Sequence, residues 1–275
     1  MAKFRIGHSG ITWGYDAEAA EEAVRDVAAL GYRAYETIGR IIDQYEQEEP
    51  EGFDALLARY GIPLSAVYCG AQFHDPTQAG DAIEDVVRQA RRGHELGATT
   101  LVLCAASRRP GAYTENAQWR GMANAFNEIA RRAADMGMIT AIHPHTGTLV
   151  ETRAEIDAIL NAIDRDLVGF APDTGQIAKG GADMIATLRT YKELIQHVHL
   201  KDYGGGRETG YVGYEPVGNG VLDIPAVFDI LDEANFDGWI SVELDGTPKA
   251  PRPPREAAAM SKRYLEGLLG DRAEW

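Results

Sequence analysis

Glu36, His143, Asp173, His199 and Glu243 each stand at the end of a short apolar run, and together they are the side-chain types that hold a divalent cation. Ligands this far apart along a chain meet in space when the runs are parallel strands of a closed barrel, because every strand then ends at one mouth. In HVHLKD, a period of two sends His197, His199 and Lys201 to one face of a strand and Val198 and Leu200 to the other. Three polar residues turned into a barrel are costly to bury unless they meet a metal, a ligand or a charge partner. Glu243, among the apolar neighbours of ISVELD, carries the same cost. Asp173, in APDTGQ, sits where a carboxylate serves either as a hard oxygen ligand or as the N-cap of the next helix.

The fifth run ends AIHPHTGTLVET, placing His143 and His145 on one side of the rim and Glu151 just before the next helix. Either His143 or Glu151 completes a four-ligand set with Asp173, His199 and Glu243; Glu151 does so only if its loop folds back. Glu36 can ligate, orient a histidine from behind the ion, or pair with a cation, and the orienting role is preferred. One or two imidazoles with two or three carboxylates suit one divalent ion, Mn or Co best, with Mg, Fe and Zn also admissible.

Such an ion polarises the carbonyl of a keto-polyol and stabilises the enediolate left when the α-proton departs. His145 is the candidate base, with Glu243 the alternative. Lys201 either stabilises the enolate oxygen or protonates the departing hydroxyl, unless a salt bridge to Asp202 or Glu36 occupies it. Loss of a β-hydroxyl makes the chain a dehydratase; reprotonation of a neighbouring carbon makes it an isomerase. Substrate contacts fall to Trp13, Glu36, Tyr68 and His197, with Tyr15 and Phe73 as further aromatic walls and His8 as a polar contact.

The elements that must position these groups are legible as eight alternations of strand and helix, an α/β pattern that predicts a (β/α)8 TIM barrel forming one domain over 1–275. Strands are expected at 4–9, 32–37, 63–68, 99–104, 138–143, 166–171, 195–200 and 238–243, each apolar on both faces as buried parallel strands are. Between them, apolar residues three and four apart, such as Ala23, Val27 and Leu30, predict amphipathic helices. Gly31, Gly61, Gly97 and Gly137 are placed to end helices, while Asp16, Thr152 with Glu155, Asp223 and Pro253–Pro254 are placed to begin them. Two long connections interrupt the rhythm. Residues 203–220, rich in glycine, follow the seventh strand as an expected mobile lid. Residues 107–116 follow the fourth and carry Arg108 and Arg109 toward the same mouth.

Composition narrows the partners. The chain has 275 residues, near the ~250 of an ordinary barrel, with 27 Lys+Arg against 42 Asp+Glu and a formal charge of −15. That charge repels phosphate backbones and anionic membranes, so neither nucleic acid nor a membrane is an expected partner, and a small sugar or keto-polyol is. No basic stretch with a long apolar run opens the chain and no window spans a bilayer, giving the expectation of a soluble, unexported, cytoplasmic protein. Cys69 and Cys104, the only two cysteines, are expected as buried thiols rather than a disulfide framework. The helical exterior leaves a homo-oligomer open.

The strings HPHTGT, DTGQ, HVHLKD, PVGNG followed by Asp223, and GWISVELD resemble the strand-end motifs of the xylose-isomerase-like barrel superfamily, the sugar phosphate isomerase and epimerase group. The likeness runs the length of the chain, and IGHSGITWG, HPH and VET are most similar to the inosose dehydratases, which eliminate water from 2-keto-myo-inositol. The resemblance implies one divalent ion held by a strand-five residue, Asp173, His199 and Glu243. It implies a metal-dependent lyase, with a sugar or sugar-phosphate isomerase/epimerase as alternative and a non-catalytic sugar-binding barrel as a third reading. Two departures stand out. His143 replaces the strand-five glutamate that epimerases of the superfamily pair with the strand-eight glutamate, and Gln176 replaces the histidine of the usual DxGH. The apurinic endonucleases share the fold but need a histidine-rich trinuclear site and a basic groove, which this acidic chain lacks.

Overall fold

The computed structural model describes residues 3–73, 79–105, 116–206, 212–245 and 249–275. Eight parallel strands follow one another around a barrel: β1 (Phe4–Ser9), β2 (Tyr35–Ile38), β3 (Leu64–Ala71), β4 (Thr100–Ala105), β5 (Ile139–His143), β6 (Val168–Phe170), β7 (His197–Leu200) and β8 (Trp239–Val242). Neighbours pair in sequence from β1 to β6, and β8 pairs with both β1 and β7. Two isolated parallel bridges, Phe170 with Ile195 and Asp173 with His199, join β6 to β7 and complete the ring.

Ten helices wrap these strands among the described residues: α1 (Ala20–Leu30), α2 (Gly39–Glu48), α3 (Gly52–Tyr60), α4 (Ala79–Glu95), α5 (Asn116–Ala134), α6 (Arg153–Ala162), α7 (Thr174–Lys179), α8 (Met184–Tyr191), α9 (Ile224–Glu233) and α10 (Pro254–Leu269). The four helix-ending glycines all take the left-handed conformation, with φ from 66° to 99°, which a side chain would disfavour. Thr152 and Glu155 form the expected reciprocal capping box, and Asp16, Asp223 and Asp183 cap through their side chains.

Three differences from the sequence reading have local causes. The connection between β2 and β3 holds two helices because Pro50 cannot continue α2, whose last residue precedes it by two. The connection after β6 likewise divides at Gly180 and Gly181 into α7 and α8. β2 begins at Tyr35 rather than residue 32 because the Tyr32 ring leaves the barrel to pack on Trp275 and its hydroxyl bonds the Ala258 carbonyl at 2.8 Å.

The core has two parts. Outward-facing strand residues such as Leu101, Ile142, Leu200 and Ile240 pack with Phe126, Ile129, Val227 and Leu231 of the helices. Inside the barrel, Ala66, Val102, Ala141 and Ala171 form a small apolar layer under Tyr68. One alternation further along the same strands come Tyr68, Cys104, His143 and Asp173, so the floor of the site is set by period two. Its small side chains leave room above them.

Candidate metal centre and cavity

Register decides which polar groups meet. β7 and β8 pair with Ser241 opposite His199, which sets Lys201 beside Glu243 one alternation on. Ser9 pairs with Glu36 across β1 and β2, and Asp173 bridges to His199. His143, Asp173 and His199 thereby bring one donor atom each within 4.8 Å of one another, and Glu36, His197 and His199 do the same deeper in the barrel. Glu243 adjoins the first group, with Oε2 at 3.3 Å from His199 Nδ1.

These donors fit a cation. His143 Nδ1 is buried without a hydrogen-bond partner, while Asp173 Oδ2 faces Lys201 Nζ at 3.0 Å and His199 Nδ1 faces Glu243 Oε2 at 3.3 Å. A buried imidazole nitrogen left unpaired is expensive, and its convergence with a second imidazole and two carboxylates is a donor set that suits a divalent ion. Asp173 caps α7, its Oδ1 accepting from Gln176 N at 2.8 Å, while Oδ2 turns toward Lys201 inside the barrel. His199 is oriented from behind, its Nε2 donating to Glu36 Oε1 at 2.6 Å, and His197 Nε2 lies 2.9 Å from Glu36 Oε2. Glu36 is therefore saturated by two imidazoles, and neither it nor the fully buried His197 lines the cavity where substrate contact was expected.

The electrostatics follow from burial. Burial pushes the Glu36 carboxyl up, but the two imidazoles outweigh it and hold it well below the ordinary range. Burial likewise opposes the charge on His199, yet Glu36 and Glu243 raise it to about 9. His143, buried beside His199, His145 and Lys201, is held neutral well below the usual histidine range. Lys201 is fully buried and carries the compensating charge, with Nζ at 3.0 Å from Asp173, 2.6 Å from Glu243 and 2.5 Å from Asp245. Burial works against that ammonium, but the three carboxylates raise its pKa well above normal. These are the partners of Lys201, in place of Asp202 or Glu36. Thr174 fixes its backbone, the hydroxyl donating to Lys201 O at 2.5 Å and accepting from Lys201 N at 2.9 Å.

A cavity of about 470 Å³ opens over this cluster, lined by Tyr68, Cys104, His145 and Asp245 with Tyr15, Arg40 and Gln89 toward its outer end. A small pocket lined by His143, His145, His199 and Glu243 connects the donors to that side of the barrel. The size suits a small polar ring compound. Glu151 stays out of both donor groups; its Oε2 accepts from Gly147 N at 2.9 Å within the loop before α6. Trp13 and Phe73 are placed in the core instead of the cavity wall. The Trp13 indole donates to Asp26 Oδ2 at 3.2 Å and Phe73 packs edge-on against Phe126. His8 is also core, between Trp13 and Tyr32. Arg108 and Arg109 lie outside the described residues, as does the middle of the 203–220 connection.

Two contributors, Asp245 and Tyr214, escaped the sequence reading, and a third, Gln176, was noted there only as a departure from DxGH. Asp245 lies on the face of Glu243 by the same period of two, a signal present in ISVELD. Gln176 is one helical turn past Asp173, and its amide joins His145 to Asp245. Tyr214 gave no signal: it arrives through a two-residue antiparallel ribbon, Asp202–Tyr203 with Tyr214–Glu215, inside the expected loop. Its ring lies over the Lys201 ammonium, 4.9 Å from Nζ.

Fold and donor set together define a barrel enzyme of the sugar-isomerase type whose buried donors could hold a divalent ion. The family model for the xylose isomerase-like TIM barrel matches residues 24–266, and the chain belongs to that family. Among curated relatives, it is 29% identical to the inosose dehydratase of Geobacillus kaustophilus (strain HTA426), over 97% of this chain and 95% of that protein. It is 26% identical to that of Yersinia enterocolitica, over 91% and 90%. Among solved structures, the IolI protein with a bound zinc atom superposes with a TM-score of 0.79 at 18% identity, covering 98% of this chain and 99% of that one. D-allulose 3-epimerase from Methylomonas sp. in complex with D-allulose gives 0.78 at 17%, covering 98% of each.

Proposed function

We propose that the protein is a divalent-metal-dependent lyase that eliminates water from a cyclic keto-polyol of the inosose class. The observation that carries this reading is the pair of imidazoles ending β5: His143 among the buried donors and His145 on the cavity wall, where a two-carboxylate epimerase would present a glutamate. The full-length similarity to inosose dehydratases supports it.

His143, Asp173, His199 and Glu243 would hold the ion, and the mixed imidazole and carboxylate set favours Mn or Co. When bound, the ion supplies Lewis-acid polarisation of the substrate ketone. His145 takes the proton from the adjacent carbon. Glu243, engaged by Lys201 and pushed up by burial, is the weaker candidate for that task. Lys201 keeps its proton and offsets part of the negative charge of Asp173, Glu243 and Asp245 beside the developing charge on the substrate. Tyr68, stacked 6.2 Å from the His199 ring, forms the apolar wall over the site.

The test is incubation of the protein with Mn and 2-keto-myo-inositol, following the ultraviolet absorbance of an unsaturated dione. His145→Gln is expected to lower kcat by ~10²–10⁴-fold. Interconversion of ketoses with no elimination would replace the lyase by an isomerase or epimerase.

A further inference from the structure

β2 runs into α2 with no loop between them, so Arg40, the second residue of α2, stands at the mouth of the barrel two residues past Ile38. Ile38 lines both the small pocket beside the buried donors and the larger cavity, and Arg40 lines the larger one. Two residues of chain span at most about 7 Å, so a ring whose ketone faces the donors has its far side close to the guanidinium. Glycine lets the helix begin there, because a Cβ at Gly39 would lie 2.4 Å from Gln89 Oε1.

The neighbouring polar groups of this outer wall are already engaged with one another. Arg88 holds Asp43 at 2.7 Å and Asp85 Oδ1 at 2.6 Å. Gln89 Nε2 donates to Asp85 Oδ2 at 2.8 Å, and its Oε1 accepts from the Cys69 thiol at 3.5 Å. Both oxygens of Asp85 are thus taken, and Asp245, the other acid lining the cavity, is held by Lys201. Among the described residues none pairs with Arg40, which leaves its N–H donors to a ligand although the chain carries a charge of −15. Gln72, on the same cavity, has its amide oxygen buried and without a partner. The wall therefore lacks an acceptor for Arg40 and a donor for Gln72. A hydroxyl supplies both; an ionised carboxylate or phosphate oxygen supplies only the first, and would add negative charge over four buried carboxylates.

We propose that Arg40 determines specificity for the side of the substrate ring remote from the ketone, its planar fork donating to the hydroxyls of two adjacent carbons while Gln72 accepts from one of them. That assignment rests on the cyclic keto-polyol reading and names the part of such a substrate that is recognised, a vicinal diol away from the reacting carbons. Arg40 touches no reacting atom, so it binds ground state and transition state alike.

The experiment compares wild type, Arg40→Met and Arg40→Lys, each with Mn, on 2-keto-myo-inositol and on its analogue lacking the hydroxyl opposite the ketone. Arg40 is exposed and methionine keeps an unbranched stem, so fold and Mn affinity should be unchanged. Arg40→Met should raise KM about 10–100-fold with kcat little changed. The wild type should lose a similar factor on the deoxy analogue and Arg40→Met little more, the non-additivity of two groups in contact. Lysine keeps the charge without the fork and should recover only part of the loss. Calorimetric binding of the ketone to His145→Gln, with and without Arg40→Met, makes the same comparison without turnover. Unchanged KM and affinity in Arg40→Met overturn the inference. So does full recovery by lysine, or tighter binding of an inosose monophosphate than of the ketone, either of which would make Arg40 an anion site. Ketone that binds through Arg40 and never loses water sinks the lyase reading and leaves this one standing; ketone that the wild type neither binds nor converts sinks both.

Discussion

Glu36 shows what packing decides at a single residue. Its run-terminal position made it a candidate ligand, orienting group or substrate contact, and only the fold shows both oxygens engaged by His197 and His199. Glu36→Gln replaces one acceptor with a donor that faces an imidazole N–H, so His199 loses its fixed orientation. Affinity for Mn measured by calorimetry should fall about 10–100-fold while the fold survives; an unchanged affinity would remove Glu36 from the support of the site. His8 makes a separate case. Its ring is sealed between Trp13 and Tyr32, and burial lowers its pKa to about 4. The group is neutral in the folded chain and titrates near 6.5 when unfolded, so its stabilising contribution is complete above that pH and is lost as pH falls through 4. The full loss is roughly 3 kcal/mol. Urea midpoints measured between pH 7 and 4 should fall less steeply in His8→Asn than in the wild type, and parallel curves would contradict the assignment.

At the scale of elements, what was legible is what repeats. All eight strands were readable because buried parallel strands are continuous apolar runs, and the helix ends because glycine and capping residues have local causes. Convergence of Asp173, His199 and Glu243 with either His143 or Glu151 was readable because period two and barrel closure leave little freedom, and the fold brings His143 rather than Glu151 into the group. What was not readable depends on a long connection finding its own partners. The segment after β7 was expected as a mobile lid, yet its described ends are pinned by Asp202, whose buried carboxylate accepts from the backbone N–H groups of Tyr203, Gly218, Gly220 and Leu222 at 2.8 to 3.1 Å. A Cβ at Gly220 would lie 2.2 Å from that carboxylate, so the chain passes where only glycine fits. Asp202→Ala would orphan four donors at once. The expected loss is about 3 kcal/mol in urea unfolding, since each buried unpaired group costs about 1–3 kcal/mol and water recovers some. Because the same ribbon carries Tyr214 to Gln176, kcat should fall too; a variant with wild-type stability would mean the loop is held by something else.

Across the whole molecule, the closed barrel places four carboxylates, Glu36, Asp173, Glu243 and Asp245, in one buried cluster inside a chain already at −15. Lys201 answers part of that charge, and without an ion His199 answers more by holding its proton to about pH 9. A divalent cation accepted by His143, Asp173, His199 and Glu243 would bring two positive charges in exchange for the His199 proton and so offset more of the cluster, and the unfolded chain offers no such assembled site. Binding to the folded state alone stabilises it by mass action, about 2.7 kcal/mol when free ion is 100-fold above its dissociation constant. At about 2–4 °C per kcal/mol for a chain of this size, Mn should raise Tm by roughly 5–10 °C over chelator-treated protein. The gain should shrink as pH falls below about 9, because the His199 proton must then be displaced before its ring can take the ion. Asp173→Ala and His199→Ala should lose the shift altogether. A Tm indifferent to Mn, Co and Zn in the wild type would mean that the four donors do not act together on one ion.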